Sequence, residues 1–444
     1  MNKPQENTTP QSPLDRLTAG IKGAFRIGQT ARVLATTGAE WLLGDRPPAP
    51  KLLRQTFERL GTTYIKLGQF IASSPSVFPD AYVEEFQMLL DKTTPVPFHI
   101  MKGVMEREFG RSLETIFASI DPQPLASASI AQVYSARLTT GEDVVIKIQK
   151  PGVKDILLTD LNFLYVAARV LELFVPHLSM ASLADIVDEI QKGMLAECDF
   201  YQEASNIEAF QKFLASTGND QATAPRVYKH ASTMRVLTME RLHGVSFTDL
   251  DAVRKYTDNP EATLITAMNT WFASLLFCES FHADVHAGNL LVLKDGRIGF
   301  IDFGIVGKIK PQTWDSMSKF IWAIGQEDYR AMAESMVGIG MTKEVVDVDR
   351  FTADIEKLYS SFDKVMPSDT LDIAYVNEHE VNRLMVDLIG LGKRHGIHFP
   401  REFALLLKQL LYFDRYVRLL ALDGNIYMDE RLTIQPDKNW VSIH

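Results

Sequence analysis

The chemistry in this chain is densest in FHADVHAGNLLVLKDGRIGFIDFG, Phe281 to Gly304. Three of its side chains, Asp284, Asn289 and Asp302, offer hard oxygen atoms, and the sequence between them indicates how they could meet. Asn289 runs into the apolar stretch LLVL, a turn follows at KDGR, and IGFID returns. A β-hairpin of this kind would bring Asp302 back towards Asn289. An amide oxygen and a carboxylate at one end of a hairpin suit Mg²⁺, which keeps several waters and takes further ligands from phosphate oxygens. Asn289 and Asp302 are therefore the metal candidates, and the ligand they imply is a nucleotide. Asp284, offset from that pair, could accept the proton of an attacking hydroxyl or orient a water. Gly304 would allow a sharp backbone turn after Asp302.

The elements that must position such a site lie upstream. VYSARL, TTGED and VVIKIQ read as a hairpin with Lys147 on its second strand, and ECDFYQEASN reads as helix with Glu203 on it. Strand-like PRVY and TMRVLTME lead into MERLHG, Met239 to Gly244. Taken singly, Lys147 or Glu203 passes for a solvated surface residue. Taken in order, the Lys, the Glu, the linker, Asp-x4-Asn and Asp-Phe-Gly follow the arrangement of the protein-kinase fold. The expected fold is thus α+β, two-lobed and protein-kinase-like, mostly helical. In it Lys147 holds phosphates, Glu203 is its acidic partner, and backbone groups of Met239, Glu240 and Leu242 face an adenine.

Departures from ordinary protein kinases are as informative. Where a Gly-rich phosphate loop belongs, PLASASIAQVY has no glycine between Pro124 and Tyr134. Methyl groups at Ala126, Ala128 and Ala131 would restrict how closely this loop wraps phosphates; Ser127, Ser129, Ile130 and Val133 complete the nucleotide-flanking set. No Ala-Pro-Glu anchor follows DFGIVGKIKPQTW, and helix-like MSKFIWAIG begins almost at once. A peptide-docking platform is not expected. Ahead of the lobes stands GTTYIKLGQFIASSPSVFPD, where Lys66 and Gln69 lie one helical turn apart and share a face. Read alone, KLGQ is better taken as the end of a surface helix.

These features together resemble the UbiB-type (AarF/UbiB) atypical kinases, the group linked to ubiquinone biosynthesis that includes the mitochondrial coenzyme Q kinases. The resemblance spans Leu52 to Asn425. The KxGQ signature is Lys66, Leu67, Gly68, Gln69; the Ala-rich loop is Ala126 to Gln132; the ExD signature is Glu197, Cys198, Asp199. The resemblance implies that the KxGQ helices fold over the active site, with Lys66 and Gln69 reaching inwards and Lys66 near Glu197. It also implies ATP and Mg²⁺ as cofactors, ATPase behaviour, and poor phosphorylation of proteins in trans. Expected partners are quinone-biosynthesis enzymes and isoprenoid lipid precursors. Two rival readings are a nucleotide-gated module that shelters quinone precursors, and a true protein kinase.

The chain length suits several domains: residues 1–50 as a disordered tail and amphipathic helix, 51–120 as the helical KxGQ extension, 121–240 as the N-lobe and 241–444 as the C-lobe. The formal net charge of -10 weighs against nucleic-acid binding, which needs a basic face. Its 2 cysteines, Cys198 and Cys278, suit a reducing compartment. The polar start MNKPQENTTPQS shows no secretory signal. Ala262–Cys278 is shorter than the roughly 20 residues of a spanning helix and contains Asn269, so it reads as a core helix. Lys408, Asp414, Arg415 and Arg418 interrupt the apolar C-terminal stretch FALLLKQLLYFDRYVRLLALDGN. The expected location is the cytoplasm. The Leu14–Leu43 segment, with Arg16, Lys22, Arg26 and Arg32 among its apolar residues, either lies on the inner membrane face or packs against the body.

Overall fold

The structure, a computed structural model, describes residues 28–72 apart from 29, 31, 34 and 45, then 80–86, 88, 95–174, 183–247, 249–257, 259–278, 281–285, 287–307, 311–342, 345–365 and 387–420. The expected disordered tail lies outside the described residues, as does the Leu14–Ile27 part of the basic segment. The chain divides into two compact units, residues 1–68 with 152–195 and residues 69–151 with 196–444.

The first unit is helical. Its Ala49–Leu60 helix stops at Gly61, whose φ of 91° suits a residue without a Cβ and whose N–H donates to Phe57 O at 3.1 Å. The Thr62–Ala72 helix, carrying KLGQ, starts immediately and continues past the unit boundary at Gly68. Phe57 and Tyr64 meet edge to face, 5.5 Å between ring centroids. Arg59 reaches back to Glu40 at 2.6 Å. The Val153–Phe174 and Leu183–Ala196 helices complete this unit.

The second unit holds two sheets. The first is antiparallel, ordered β1 (Phe117–Ser127), β2 (Ala131–Leu138), β3 (Asp143–Gln149), β5 (Val236–Glu240). Alternation decides its faces. Tyr134, Val144, Ile146, Ile148 and Val236 bury one side against Met101, Val104 and Met105 of the Phe98–Phe109 helix. Lys147 falls on the opposite side, across from Val133 and Leu237, and the neighbouring cross-strand pair Val145 and Met239 shares that side. Sequence and structure part at two places here. The presumed long loop from Pro124 is mostly strand, leaving Ala128, Ser129 and Ile130 as the turn, closed by Ala128 N–H donating to Ala131 O at 2.9 Å. The ladder shifts register around Pro124, which has no N–H to give. PRVY is not a strand; Val227 makes one isolated bridge to Met239.

The second sheet is ordered β4 (Ala222–Thr223), β9 (Ile298–Phe300), β8 (Leu290–Leu293), β6 (Gly244–Ser246). Strands β8 and β9 are the anticipated hairpin, turning at Gly296 with φ 85°. Gly244 is required by space, since a Cβ would stand 2.5 Å from the backbone oxygen of Val292, and Gly299 has Leu242 Cδ1 packed where its Cβ would be. Short pairs that the sequence did not announce join β7 (Phe281–His282) to β10 (Val306–Gly307) and β11 (Met341–Thr342) to β12 (Ile397–His398). Ala262–Phe277 belongs to the Pro260–Phe277 helix, which Cys278 ends and Asn259 starts by accepting from Ala262 N–H, and its Trp271 is fully buried. Trp271 packs on Phe413 of the Arg401–Leu420 helix, 5.3 Å between centroids. No helix among the described residues is long and apolar enough to cross a membrane. The fold is a two-lobed, α+β kinase-like one: a small antiparallel sheet, then a mostly helical lobe.

Candidate active site

On β3, period-two alternation aims Lys147 away from the sheet's core. Its Nζ meets Glu203 Oε1 at 2.8 Å and Oε2 at 2.9 Å, and Asp302 Oδ1 at 3.1 Å. Phe200 lies beneath the ammonium, 5.6 Å from ring centroid to nitrogen. Glu203 is held in the first turn of the Phe200–Thr217 helix, which Asp199 caps by accepting the Tyr201 N–H at 3.0 Å. Burial works against the Lys147 charge, yet Asp302 and Glu203 outweigh it and hold the ammonium above the ordinary lysine range. Burial pushes the Glu203 carboxyl up; Lys147 pulls it back, while Asp302 and Glu197 add to the rise. Asp302 goes the other way, down to about 2, chiefly because of the Lys147 ammonium. One cation thus serves two carboxylates of unlike character: Glu203 is buried, whereas the Asp302 side chain is 51% exposed.

Asp302 has φ 60°, a left-handed conformation uncommon for a residue with a Cβ. Its Oδ1 also accepts the Gly304 N–H at 3.3 Å, which helps hold the turn. Strain of this sort clusters at functional sites and persists only where the surroundings enforce it. The enforcement is visible. Phe303 is buried between His282 and Phe210, at 4.7 and 5.2 Å, and its carbonyl accepts from Asn206 Nδ2 at 3.0 Å. Asn206 sits one turn beyond Glu203, so a single helix grips both Lys147 and the backbone beside Asp302.

The Asp284 loop is fixed from three sides. His282 accepts the Asp284 N–H on Nδ1 at 3.2 Å, which places its proton on Nε2, 3.0 Å from Ile301 O. Asn289 Nδ2 donates to Asp284 O at 3.0 Å, and Ile301 N–H donates to Asn289 O at 3.0 Å, so the hairpin sets Asn289 beside the approach to Asp302. From the Arg401–Leu420 helix, Gln409 accepts the Val285 N–H at 2.6 Å and donates to Ala283 O at 2.9 Å. Its neighbour Lys408 meets Asp284 Oδ1 at 3.2 Å.

The structure therefore brings together Lys147, Glu203 and Asp302, and separately ties Asp284 to Asn289. Among the Ala-rich loop residues, Ala126 stands across from Val133, on the Lys147 side. Ser127 stands across from Gln132, the side of buried Tyr134, and its buried Oγ has no hydrogen-bond partner among the described residues. Ala128, Ser129 and Ile130 form the turn, anchored by Lys150 N–H donating to Ile130 O at 2.8 Å. Met239 and Glu240 end β5, and Leu242 follows against Gly299. Lys66 lies in the first compact unit, whereas Gln69, Glu197 and Asp199 lie in the second; the side chains of Lys66, Gln69 and Glu197 are partly buried. Sequence reasoning missed His282, Asn206, Lys408 and Gln409. The first two stand at readable offsets, two residues before Asp284 and one turn after Glu203, but Lys408 and Gln409 show in the sequence only as polar breaks in an apolar helix.

Comparison with known proteins gives the family. The family model described as "ABC1 atypical kinase-like domain" matches residues 88–336. An uncharacterized chloroplastic aarF domain-containing protein kinase of Arabidopsis thaliana is 48% identical, covering 95% of this chain and 84% of its own. An uncharacterized protein of Mycobacterium tuberculosis is 35% identical over 95% of this chain and 86% of its own. A probable protein kinase UbiB of Azotobacter vinelandii is 30% identical over 86% and 70%. With the family's domain matched over more than half of this chain and a relative at 48% identity, this chain belongs to the ABC1 atypical kinase family that includes the aarF-domain and UbiB proteins.

Proposed function

We propose that this protein binds ATP with Mg²⁺ and hydrolyses it, or passes its terminal phosphoryl group to a small or lipid-linked acceptor, in support of ubiquinone or another isoprenoid quinone pathway. The observation that carries the reading is the Lys147 ammonium shared by Glu203 and the strained Asp302. The donor set fits the cation. Asn289 commits its nitrogen to Asp284 O, which leaves Oδ1 to act as a ligand, and both bonds made by Asp302 fall on Oδ1, so Oδ2 is the atom assigned to the metal. Bound Mg²⁺ would supply positive charge against the phosphate oxygens. In this reading Lys147 holds phosphates, Ala126, Val133 and Met239 flank the nucleotide, Glu240 and Leu242 present backbone to the adenine, and Asp284 takes the proton of the attacking oxygen.

Lys66 and Gln69, together with Glu197 and Asp199, are assigned the exclusion of peptide substrates. The division into a segment 1–50, a helical extension 51–120, an N-lobe 121–240 and a C-lobe 241–444 is part of the same proposal. The quinone link rests on the relatives named UbiB. Contact with a membrane surface would follow from a lipid-linked acceptor.

The test is phosphate release by the purified protein with Mg²⁺ and ATP, with and without lipid vesicles and a phenolic isoprenoid. Mg²⁺-dependent release raised by the lipid and the phenol is expected. Absence of both release and Mg²⁺-dependent ATP binding would refute the reading; binding without release would favour ATP as a switch that gates a lipid-precursor site.

A further inference from the structure

The Arg401–Leu420 helix is buried along Phe403–Leu407 and again at Gln409 and Leu410, as expected of a core helix in the larger lobe. Lys408 interrupts that run with a cation whose side chain is 22% exposed. A largely desolvated ammonium is costly unless something pairs with it. Among its contacts is Asp284, the carboxylate assigned to take the proton from the attacking oxygen.

A plain reading is that the pair fastens the helix to the loop. Gln409 already does this, and with better geometry: fully buried, it bonds the carbonyl before Asp284 and the N–H after it, at 2.9 and 2.6 Å. With the backbone held on both sides, the Lys408 contact at 3.2 Å adds little to docking. It adds a positive charge at the carboxylate where an attacking oxygen would sit. The loop does not carry such a charge itself, for DVHAGN contains no Lys or Arg. Lys147, the other described cation of the site, is engaged by Glu203 and Asp302.

We propose that Lys408 is a catalytic residue, the cation that the C-terminal helix delivers to the transferred phosphoryl group. The inference rests on the phosphoryl-transfer reading above. As the acceptor or water oxygen forms its bond to the γ-phosphorus, the bond to the β-bridging oxygen breaks, ADP leaves with that electron pair, and the acceptor proton passes to Asp284. Negative charge meanwhile gathers on the equatorial oxygens of the transferring group, beside the Lys408–Asp284 pair. The ammonium is then shared with those oxygens, where fixed positive charge lowers the barrier. Gln409 is a positioning residue that keeps the loop in register during this exchange.

The experiment compares the parent protein with Lys408→Met, which keeps the length of the side chain, and Lys408→Arg, which keeps its charge. Three quantities are measured: melting temperature, affinity for Mg²⁺-ATP, and affinity for Mg²⁺-ADP with aluminium fluoride, a mimic of the transferring phosphoryl group. Phosphate release is followed alongside. Lys408→Met is expected to melt with the parent and bind Mg²⁺-ATP as the parent does. It should lose about a hundredfold in kcat and a similar factor in fluoride-complex affinity, the size typical of removing one transition-state donor. Lys408→Arg should recover a large part of both. Equal loss of ATP and fluoride-complex affinity, or a loss mirrored by a fall in melting temperature and unrelieved by Arg, overturns the inference in favour of a structural pair. Parent-like turnover in Lys408→Met overturns it while leaving the phosphoryl-transfer reading intact; a parent that binds Mg²⁺-ATP but neither turns over nor holds the fluoride complex overturns both.

Discussion

Replacing Lys147 by Met tests how much the shared cation contributes and in which protonation states. The Lys147 side chain is 14% exposed and that of Glu203 5% exposed, with contacts at 2.8 and 2.9 Å, so this is a buried pair and not a solvent-screened one. Removing one partner of such a pair typically costs about 3–5 kcal/mol, because a charge is left buried without compensation. The lower end, about 3 kcal/mol, is expected here, since Glu203 is already pushed up by burial and can take a proton instead of staying charged. Methionine also keeps the contact with the Phe200 ring. The pH dependence has a definite sign. With Lys147 gone, the folded-state value of Glu203 rises further, so the stability that its protonated form gives is present below an unfolded value of roughly 4.3 and is lost as pH rises through the folded value. The deficit against the parent should therefore shrink as pH falls from about 7 towards about 5. Asp302 adds no pH dependence in that window: in the parent its value is lowered to about 2, so its contribution is already fully present above the unfolded value of roughly 3.9 and is lost only as pH falls through about 2. Urea unfolding at each pH, followed by tryptophan fluorescence, measures this. The double variant Lys147→Met with Glu203→Leu should recover most of the loss, to within about 1 kcal/mol of the parent, while still failing to bind nucleotide. A single-variant cost below about 1 kcal/mol with no pH dependence would refute the reasoning and make the pair equivalent to an exposed ion pair.

Other outcomes follow from the same site. Asp302→Asn should abolish Mg²⁺-dependent nucleotide binding with the fold intact, read as a thermal shift that no longer responds to Mg²⁺; an unchanged shift would remove Asp302 from the metal. Asp284→Asn should retain nucleotide and lose turnover, and an undiminished rate would exclude it from catalysis. Ala126→Gly should change the ratio of ATP to ADP affinity by freeing the strand end that faces Val133, whereas an unaltered ratio in titration would make this segment a passive cover. Lys66→Ala should lower phosphate release and permit autophosphorylation, checked with γ-labelled ATP; no label together with parent-like release would make KLGQ an ordinary packed helix.

Much of this architecture was written locally in the chain. The β8–β9 hairpin was legible because apolar runs flank a turn at Gly296, and Lys147 because strand alternation set it off from the buried Val144, Ile146 and Ile148. The Ala-rich segment was misjudged as a long loop: small residues weaken a strand signal, and here pairing with β2 overrides them, leaving a turn of Ala128, Ser129 and Ile130. PRVY failed for the opposite reason, since β-formers alone do not make a strand and only Val227 finds a bridging partner. Lys408 and Gln409 were illegible in principle. Their meaning depends on a contact more than a hundred residues away, and no local period announces a partner at that distance.

The brace supplied by Gln409 has a consequence for the timing of synthesis. Val285 and Ala283 precede the residue that holds them by 124 and 126 positions. A nascent chain that has left the ribosome only as far as Ile397 already possesses both sheets, Lys147, Glu203 and Asp302, yet the backbone around Asp284 lacks the amide that ties it down. Nucleotide could be captured at that stage, but the loop that commits it to reaction would be unsupported. Catalytic competence would then arrive late, with the Arg401–Leu420 helix. Ribosome-stalled chains truncated after Phe399 should bind ATP and release no phosphate until the Arg401–Leu420 segment is allowed to emerge.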